Sequence, residues 1–443
     1  MNSALRITPA REKPAVISLL VIGAALRLVW VYDNRHITPA PSESDNISMS
    51  LARVGRFADS YVIGGGPTAH IGMLTPLPAA AAYKLFGIHT VLAEFMLSVW
   101  AVGLVTVSFW LCWRLMCALD APRIARVAAV AFVALVPLQF SLEVREGRSF
   151  EVNLAVLLLL WILLRLVTAD GKTIVGARDL AITGALAGFL MIVSPPAGLA
   201  AVLAIGAFQL LRLRGSQWWI APLAFALVAG PLAGFWAARN MVQLGEPIAL
   251  RDNFGLELDL SNYSALVHAP DQQAAYAARM NEIHPLSVGM GIDRLRAAGG
   301  EVPYYHQLGK EADHWILTHP SDFLYLSAGR FVDFFLPPRW FWSMFYPEGK
   351  IVWLRQFLIW AAAIPGFCTL FLLAWRRRPY LYLLVATLAC SAPYIVIQPV
   401  LRYRYLVSSL LIFLACDGAF RLAQYLRARR PVARGMARET ARP

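Results

Sequence analysis

Apolar runs of about 20 residues, separated by polar segments, dominate the chain, and a helix of that length matches the thickness of a bilayer. The double proline at 195–196 either turns the chain between two spans or kinks one span, and counting two crossings keeps the charge pattern consistent. The pattern therefore predicts an all-α polytopic membrane protein with about ten transmembrane helices. The predicted spans are 14–32, 90–116, 123–141, 150–168, 179–193, 196–213, 217–238, 351–374, 379–396 and 405–421.

Basic residues predict the orientation of these spans. Lys and Arg are concentrated in the polar connections 120–126, 170–179, 212–217 and 375–380 and in the C-terminal tail. The positive-inside rule places these segments and both termini in the cytoplasm, so the other polar segments face outward. The expected location is a bacterial inner membrane, with the active site in the periplasm.

The long polar segments divide the chain into four parts. An N-terminal transmembrane module contains a first outer loop, and it is followed by a polar segment large enough to form a small outer-face domain with short helices at the membrane interface. Three more spans and a basic cytoplasmic tail complete the chain. The predicted boundaries are 1–238 for the module with its loop at 33–89, 239–350 for the domain, 351–421 for the last spans and 422–443 for the tail.

Composition excludes several classes of protein. With 58% hydrophobic and only 15% charged residues, the chain is too apolar for a soluble globular protein. The net charge of +13 is confined to short loops and the tail, which argues against nucleic acid as a partner and favours membrane lipids. All 5 cysteines lie within apolar runs and predict no disulfide framework. The first apolar run is too long for a cleaved signal peptide and predicts a retained span.

The first outer loop carries a candidate catalytic carboxylate. Apolar residues recur at Ile47, Leu51 and Val54, a helical spacing, and Ser42 with Asp45 has the spacing of a capping box. Asp45 is therefore either a residue that stabilises the start of a helix or a working acid. The stretch "PLPAAAAYKLFG" at 76–87 predicts a second short helix.

These features resemble a known family. An aspartate early in the first outer loop, "PLPAAAAYKLFG" and about ten spans are similar to the GT-C superfamily of polytopic glycosyltransferases, in particular the bacterial relatives of protein O-mannosyltransferases and of the lipid A aminoarabinose transferase. The resemblance extends to "RNMVQLGEPIALRDNFGLELDLSN" at 239–262, "GGEVPYYHQLGKEADHWILTHPSDF" at 299–323 and "RYRYL" at 402–406. The chain departs from the family at Asn46, where a second carboxylate is common, and at Ser261, where glycine is expected.

The resemblance implies an activity. The donor would be a sugar on a polyprenyl phosphate, and the acceptor would be a hydroxyl of a glycan, a lipid or a protein. Asp45 would be the general base of a displacement that inverts the anomeric carbon. Glu143 and Glu146, from the short second outer loop, would assist by orienting the acceptor or holding a cation, unless that loop is only interfacial.

The leaving phosphate requires cations. Arg402 and Arg404 lie at the outer end of the last span and Arg239 lies at the outer end of the seventh, and a planar guanidinium pairs with two phosphate oxygens at once. Snorkelling to lipid headgroups is the alternative for all three. Tyr403 and Asn253 belong to the family-like motifs and are assigned to donor binding with them.

Each of the first two predicted spans has a charged residue in its outer half. Arg27 and Glu94 both lie in outer halves of their spans, where a charge requires a partner or a cavity. Arg27 either lines the donor groove or pairs with Glu94 to fix two helices. No cofactor is predicted with certainty, and a divalent cation stays open. The Glu311 and His314 spacing is a weak metal signal.

The sequence thus predicts a membrane glycosyltransferase that uses a polyprenyl-phosphate sugar. A transporter or flippase for a lipid-linked or small solute is the alternative, which inverted repeats and midplane charges would favour. A polysaccharide ligase that uses a diphosphate-linked lipid is a third hypothesis. It requires more cationic residues around an outer helix than this sequence shows.

Overall fold

The computed structural model describes residues 11–35, 42–144, 149–213, 215–286, 290–345 and 352–439. Apart from one isolated bridge between Ala58 and Pro67 and two 3-10 turns, Gly215–Trp219 and Ser264–Leu266, the regular structure of these residues is α-helical. The first ten helices are α1 (Lys13–Asp33), α2 (Glu43–Val54), α3 (Leu77–Phe86), α4 (Val91–Ala118), α5 (Arg123–Leu135), α6 (Phe140–Val144), α7 (Ser149–Asp170), α8 (Ala177–Val193), α9 (Pro195–Arg212) and α10 (Ile220–Leu244). The others are α11 (Phe254–Ser261), α12 (Gln272–Ile283), α13 (Met290–Ala297), α14 (Glu301–Thr318), α15 (Pro320–Phe335), α16 (Trp340–Phe345), α17 (Val352–Ala374), α18 (Arg378–Ser391), α19 (Pro393–Val396) and α20 (Leu401–Glu439).

The described helices confirm the predicted fold class. Eight of them are long and apolar enough to cross a membrane, namely α1, α4, α7, α9, α10, α17, α18 with α19, and α20. The predicted spans 123–141 and 179–193 correspond to the shorter helices α5 and α8. Between α8 and α9 the chain turns at Ser194, and Gly198 then lies against the backbone of Met191, so the double proline begins a second helix instead of kinking one.

Small residues bring the long helices into close contact. A Cβ at Gly184 would lie 2.1 Å from the backbone oxygen of Ala221, and one at Gly366 would lie 2.2 Å from that of Leu411. Close backbone approach through glycine is the common way in which helices associate in a bilayer, where the lipid offers no hydrophobic drive between them. α8 therefore packs along α10, and α17 along α20.

The bundle has two ends that differ in their contacts. At one end, which we call the basic end, Arg126 pairs with Glu12 at 2.5 Å and Arg212 with Asp170 at 3.4 Å. The opposite end, which we call the loop end, carries the first loop (residues 42–90) and the large segment (residues 245–345). These two segments pack on each other, as the contacts described below show, and together they cover the loop end.

The first loop folds as its sequence predicts. Ser42 is extended and caps α2, because its hydroxyl oxygen accepts the backbone N–H of Asp45 at 3.2 Å. Gly55 ends that helix in the left-handed conformation with φ 69°. α3 starts at Leu77 with proline in its first turn and ends before Gly87, at the limits that the "PLPAAAAYKLFG" pattern indicates.

Candidate functional site

The carboxylate of Asp45 makes its contacts outside the helix cap. The backbone N–H of Asp45 completes the cap with Ser42, while the side chain turns away toward α3. Its Oδ1 accepts the hydroxyl of Tyr83 at 2.7 Å, and its Oδ2 lies 3.2 Å from Nε2 of His89. The Asp45 side chain is still 19% exposed. The carboxylate is therefore held on both oxygens and still reaches the surface of the loop end.

Glu94 completes what we call the Asp45 cluster, which consists of Asp45, Tyr83, His89 and Glu94. Burial, followed by the charge of Asp45, raises the pKa of the Tyr83 phenol far above its usual value, so this hydroxyl stays neutral and donates. Nδ1 of His89 lies 3.0 Å from Oε1 of Glu94, at the start of α4. The cluster joins the first turns of α2 and α4 across α3.

Arg27 and Glu143 form a buried ion pair. Nε of Arg27 lies 2.7 Å from Oε2 of Glu143, and the other oxygen of Glu143 accepts the hydroxyl of Tyr405 at 3.1 Å. Arg27 also donates to the carbonyl oxygens of Val133 at 3.0 Å and Ala134 at 2.9 Å, which belong to the last turn of α5. The pair therefore ties α1, α5, α6 and α20 together.

This geometry corrects the expected pairing of Arg27. Glu94, which the sequence offers as its partner, contacts His89 and Tyr83 instead. The Arg27 and Glu143 side chains are only 2% and 6% exposed, so both are placed to fix helices. Contact with a substrate, which the resemblance implies for Glu143 and which the depth of the charge in its span suggests for Arg27, stays a prediction. Glu146, the other predicted assistant of Asp45, lies outside the described residues.

The predicted arginines occupy different environments at the loop end. Arg402 donates to the hydroxyl of Tyr403 at 3.2 Å and lies over its ring. The ring of Tyr403 stacks in turn on that of Tyr394, with centroids 4.2 Å apart. Arg404 is buried, and donates to the backbone oxygen of Phe335 and to Ser408. Arg404 thus contacts the large segment through the backbone of Phe335, while Arg402 lies against an aromatic stack.

Arg239 holds the backbone of the first loop, and Asn253 contacts a side chain of α11. Arg239 donates to the carbonyl oxygens of Phe57 at 2.5 Å and Thr68 at 2.8 Å, and so ties the end of α10 to the first loop. Asn253 precedes α11, and its side-chain amide donates to Glu257 at 3.4 Å. Among the described residues no ion pair joins Asp45 to Arg239, Arg402 or Arg404.

A polar seam between the first loop and the large segment was not found from the sequence. Glu301 accepts the hydroxyl of Thr68 at 2.6 Å and the backbone N–H of Ala69 at 2.8 Å. Burial, and next the charge of Glu301, raises the pKa of Asp252 well above its usual value. The Gly-Gly-Glu stretch at 299–301, which leads into α14, belongs to one of the family-like motifs. It is the sequence signal that could have identified Glu301.

The seam continues through histidine and tyrosine. Nδ1 of His70 lies 2.9 Å from the Tyr61 hydroxyl and 3.0 Å from that of Tyr305. On the other side of the ring, Nε2 of His70 lies 3.6 Å from Glu43, which is equally close to His284. Within the described ranges, no group of three or more His, Cys, Asp or Glu side chains has the arrangement to hold a metal ion.

Arg330 closes the contact between the large segment and the bundle. It donates to the side chain of Asn262 at 3.0 Å, to the backbone oxygen of Val396 at 2.9 Å and to the backbone oxygen of Ser261. Burial lowers its pKa to about 10, which leaves it charged at neutral pH. The end of α11 and the link between α19 and α20 are thereby held together.

No protein-family profile and no curated protein matches the chain. Among solved structures, the chain is similar to the archaeal oligosaccharyltransferase AglB from Archaeoglobus fulgidus in complex with an inhibitory peptide and a dolichol-phosphate, at 14% identity and a TM-score of 0.50. That alignment covers 96% of this chain and 52% of AglB, so the chain spans about half the length of that protein.

A second solved structure is more distant. ArnT from Cupriavidus metallidurans bound to undecaprenyl phosphate matches 93% of this chain and 79% of its own at 13% identity, and its TM-score of 0.36 adds nothing to the assignment. At such identities the likeness to AglB establishes the fold alone. The chain therefore has the polytopic membrane fold of the GT-C glycosyltransferases, as the resemblance in its sequence predicts.

Proposed function

We propose that the protein is a membrane glycosyltransferase that moves a sugar from a polyprenyl-phosphate donor to an acceptor hydroxyl. The observation that carries the proposal is the state of the Asp45 carboxylate, which Tyr83 and His89 hold on both oxygens and which remains 19% exposed. Glu143 and Glu301, by contrast, are buried and engaged by their neighbours. Asp45 is thus oriented and accessible, as a general base has to be.

The reaction follows from that position. Asp45 takes the proton of the acceptor hydroxyl while the acceptor oxygen forms a bond to the anomeric carbon. The bond between that carbon and the phosphate oxygen breaks, and the polyprenyl phosphate leaves with the electron pair. A single displacement of this kind inverts the anomeric centre. Glycan, lipid and protein acceptors all supply the required hydroxyl, as the resemblance implies.

The leaving phosphate is assigned to the arginines of the loop end. Arg402 is the foremost, because Tyr403 and Tyr394 beneath it form an aromatic stack that fixes its position. Arg404 and Arg239 contribute positive charge from positions fixed by backbone oxygens. Such preorganised cations stabilise the negative charge that develops as the bond breaks. Asn253 and the Arg27–Glu143 pair support the surrounding backbone in this proposal.

Topology and the fold support a reaction on the outer side of a bacterial inner membrane. The short polar connections in which Lys and Arg are concentrated lie at the basic end, which the positive-inside rule assigns to the cytoplasm, so the loop end is assigned to the periplasm. AglB, which shares the fold, is an oligosaccharyltransferase whose solved complex holds a dolichol-phosphate and a peptide. A lipid phosphate donor is the chemistry common to that complex and to this proposal.

The test is sugar transfer by the purified protein in lipid nanodiscs. Radiolabelled polyprenyl-phosphate sugars and a bacterial membrane extract supply donor and acceptors, and the product is separated from the donor lipid. Asp45→Asn keeps the size of the side chain and its bond from Tyr83 but removes the base, so the rate falls by about 10²- to 10⁴-fold. Glu246→Gln, at an exposed carboxylate of the same end, is the control and retains the rate.

Equal product yields from wild type and Asp45→Asn would contradict the assignment of the base. A different outcome is that the purified protein transfers sugar from none of the donors while vesicles that contain it move a labelled lipid-linked sugar or a small solute. That result would favour the transporter hypothesis over the glycosyltransferase hypothesis.

A further inference from the structure

His89 bridges two carboxylates. Its Nε2 lies 3.2 Å from Asp45 Oδ2, and its Nδ1 lies 3.0 Å from Glu94 Oε1. Ionised carboxylates only accept hydrogen bonds, so both contacts are satisfied when each ring nitrogen carries a hydrogen. The ring then places one positive charge between two negative ones, and both bonds are charge-assisted.

The backbone at His89 is shaped for this contact. His89 has φ 55°, in the left-handed region that residues other than glycine rarely adopt, and it lies in the short link between α3 and α4. It does not cap α4, because the hydroxyl oxygen of Thr90 accepts the N–H of Ala93 at 3.2 Å and supplies that cap. The unfavourable backbone conformation therefore serves the placement of the ring, which is the usual relation between such strain and a functional site.

We infer that His89 is a positioning residue for Asp45, with Glu94 fixing the orientation of its ring. The inference rests on the proposed function. The imidazolium N–H holds Oδ2, while Tyr83 holds Oδ1. One lone pair on each carboxylate oxygen of Asp45 is then left to accept the proton of the acceptor hydroxyl. His89 itself takes no proton from the acceptor.

Chemical rescue tests the inference. His89→Gly removes the ring from a position whose φ suits glycine, and the native side chain is 39% exposed, so free imidazole can enter the space that it leaves. Misplacing the base lowers the transfer rate by about 100-fold. Added imidazole restores a large part of the rate, and the rescue is strongest at pH values where imidazole is protonated. His306→Gly, at an exposed histidine paired with Glu246, is the control and shows no response to imidazole.

Two amides distinguish positioning from a structural role. The amide nitrogen of glutamine reaches the place of Nε2 and donates to Asp45, while that of asparagine reaches the place of Nδ1 and donates to Glu94. If His89 positions Asp45, the His89→Gln variant therefore transfers sugar faster than the His89→Asn variant. A structural role ranks them in the opposite order, because asparagine tolerates the left-handed conformation better. Thermal unfolding of both variants accompanies the rates.

The outcomes are separable. The inference is overturned if His89→Gly keeps the wild-type rate, if imidazole restores nothing, or if the asparagine variant is the more active amide, in each case with Asp45→Asn inactive. If wild type transfers no sugar from any donor, or if Asp45→Asn is fully active, the proposed function fails and the positioning role fails with it.

Discussion

The buried pair of Arg27 and Glu143 leads to a double-mutant cycle. Arg27→Met and Glu143→Leu each remove one charge and leave the other in an environment where the side chains are 2% and 6% exposed. Breaking a buried pair in this way costs about 3–5 kcal/mol, because the remaining charge has no counter-charge and little access to water.

The double variant is expected to be far less harmful than the sum of the single ones. It removes both charges and fills the space with apolar groups, but it leaves the carbonyl oxygens of Val133 and Ala134 and the hydroxyl of Tyr405 without Arg27 and Glu143. Each lost hydrogen bond costs about 1–3 kcal/mol, but the same bonds are lost in the single variants and cancel in the cycle, so the two sites are coupled by several kcal/mol.

The assay is reversible unfolding of the four proteins in mixed micelles with increasing SDS, followed by the circular dichroism of their helices. Additive losses, with the double variant destabilised by the sum of the single ones, would refute the account of the pair as a mutual neutralisation. Transfer activity separates the two roles of Glu143. A folded double variant that recovers activity assigns Glu143 to the helix contact, and a folded inactive one assigns it to the reaction.

Two further predictions concern the seam and the helix packing. In the unfolded chain the pKa of Asp252 is about 3.9. In the folded chain the pKa is higher, so above about pH 3.9 the unfolded chain loses the Asp252 proton more readily than the folded chain does. The stability that Asp252 contributes therefore falls as pH rises. Asp252→Asn cannot ionise, so its melting temperature between pH 5 and 8 falls less than that of wild type; parallel curves would contradict this. Gly184→Ala places a methyl group against the backbone of Ala221 and destabilises by at least about 1–3 kcal/mol. Gly206→Ala, which meets no atom within 4 Å, is the control, and equal thermal stability of the two variants would show that α8 and α10 do not pack as described.

Periodicity and composition were enough to predict the helices and much of the first loop. The apolar runs locate the spans because a bilayer imposes one length on every crossing. The start of α2 follows from the chemistry of Ser42, and the limits of α3 follow from a proline and from Gly87. Each of these features depends on residues close together in the chain.

Contacts between distant residues were not predictable in the same way. Arg27 was expected to have a glutamate partner, but which glutamate it has depends on which helices are neighbours, and Glu94 and Glu143 look equivalent in the sequence. His89 gave no signal because a single histidine in a polar link has no periodicity to mark it. The partners of Glu301 were missed for a related reason, since they are backbone and hydroxyl groups of a distant loop.

The seam also constrains the order in which the protein is made. Ala69 and the Glu301 carboxylate that accepts its N–H are separated by 232 positions in the chain, and α4, α7, α9 and α10 are synthesised between them. In the orientation proposed above, the first loop crosses the membrane during synthesis long before the residue that completes it exists. Until that residue arrives, water or a chaperone has to occupy the donors of the loop, and a fragment that stops after α10 would keep them exposed permanently.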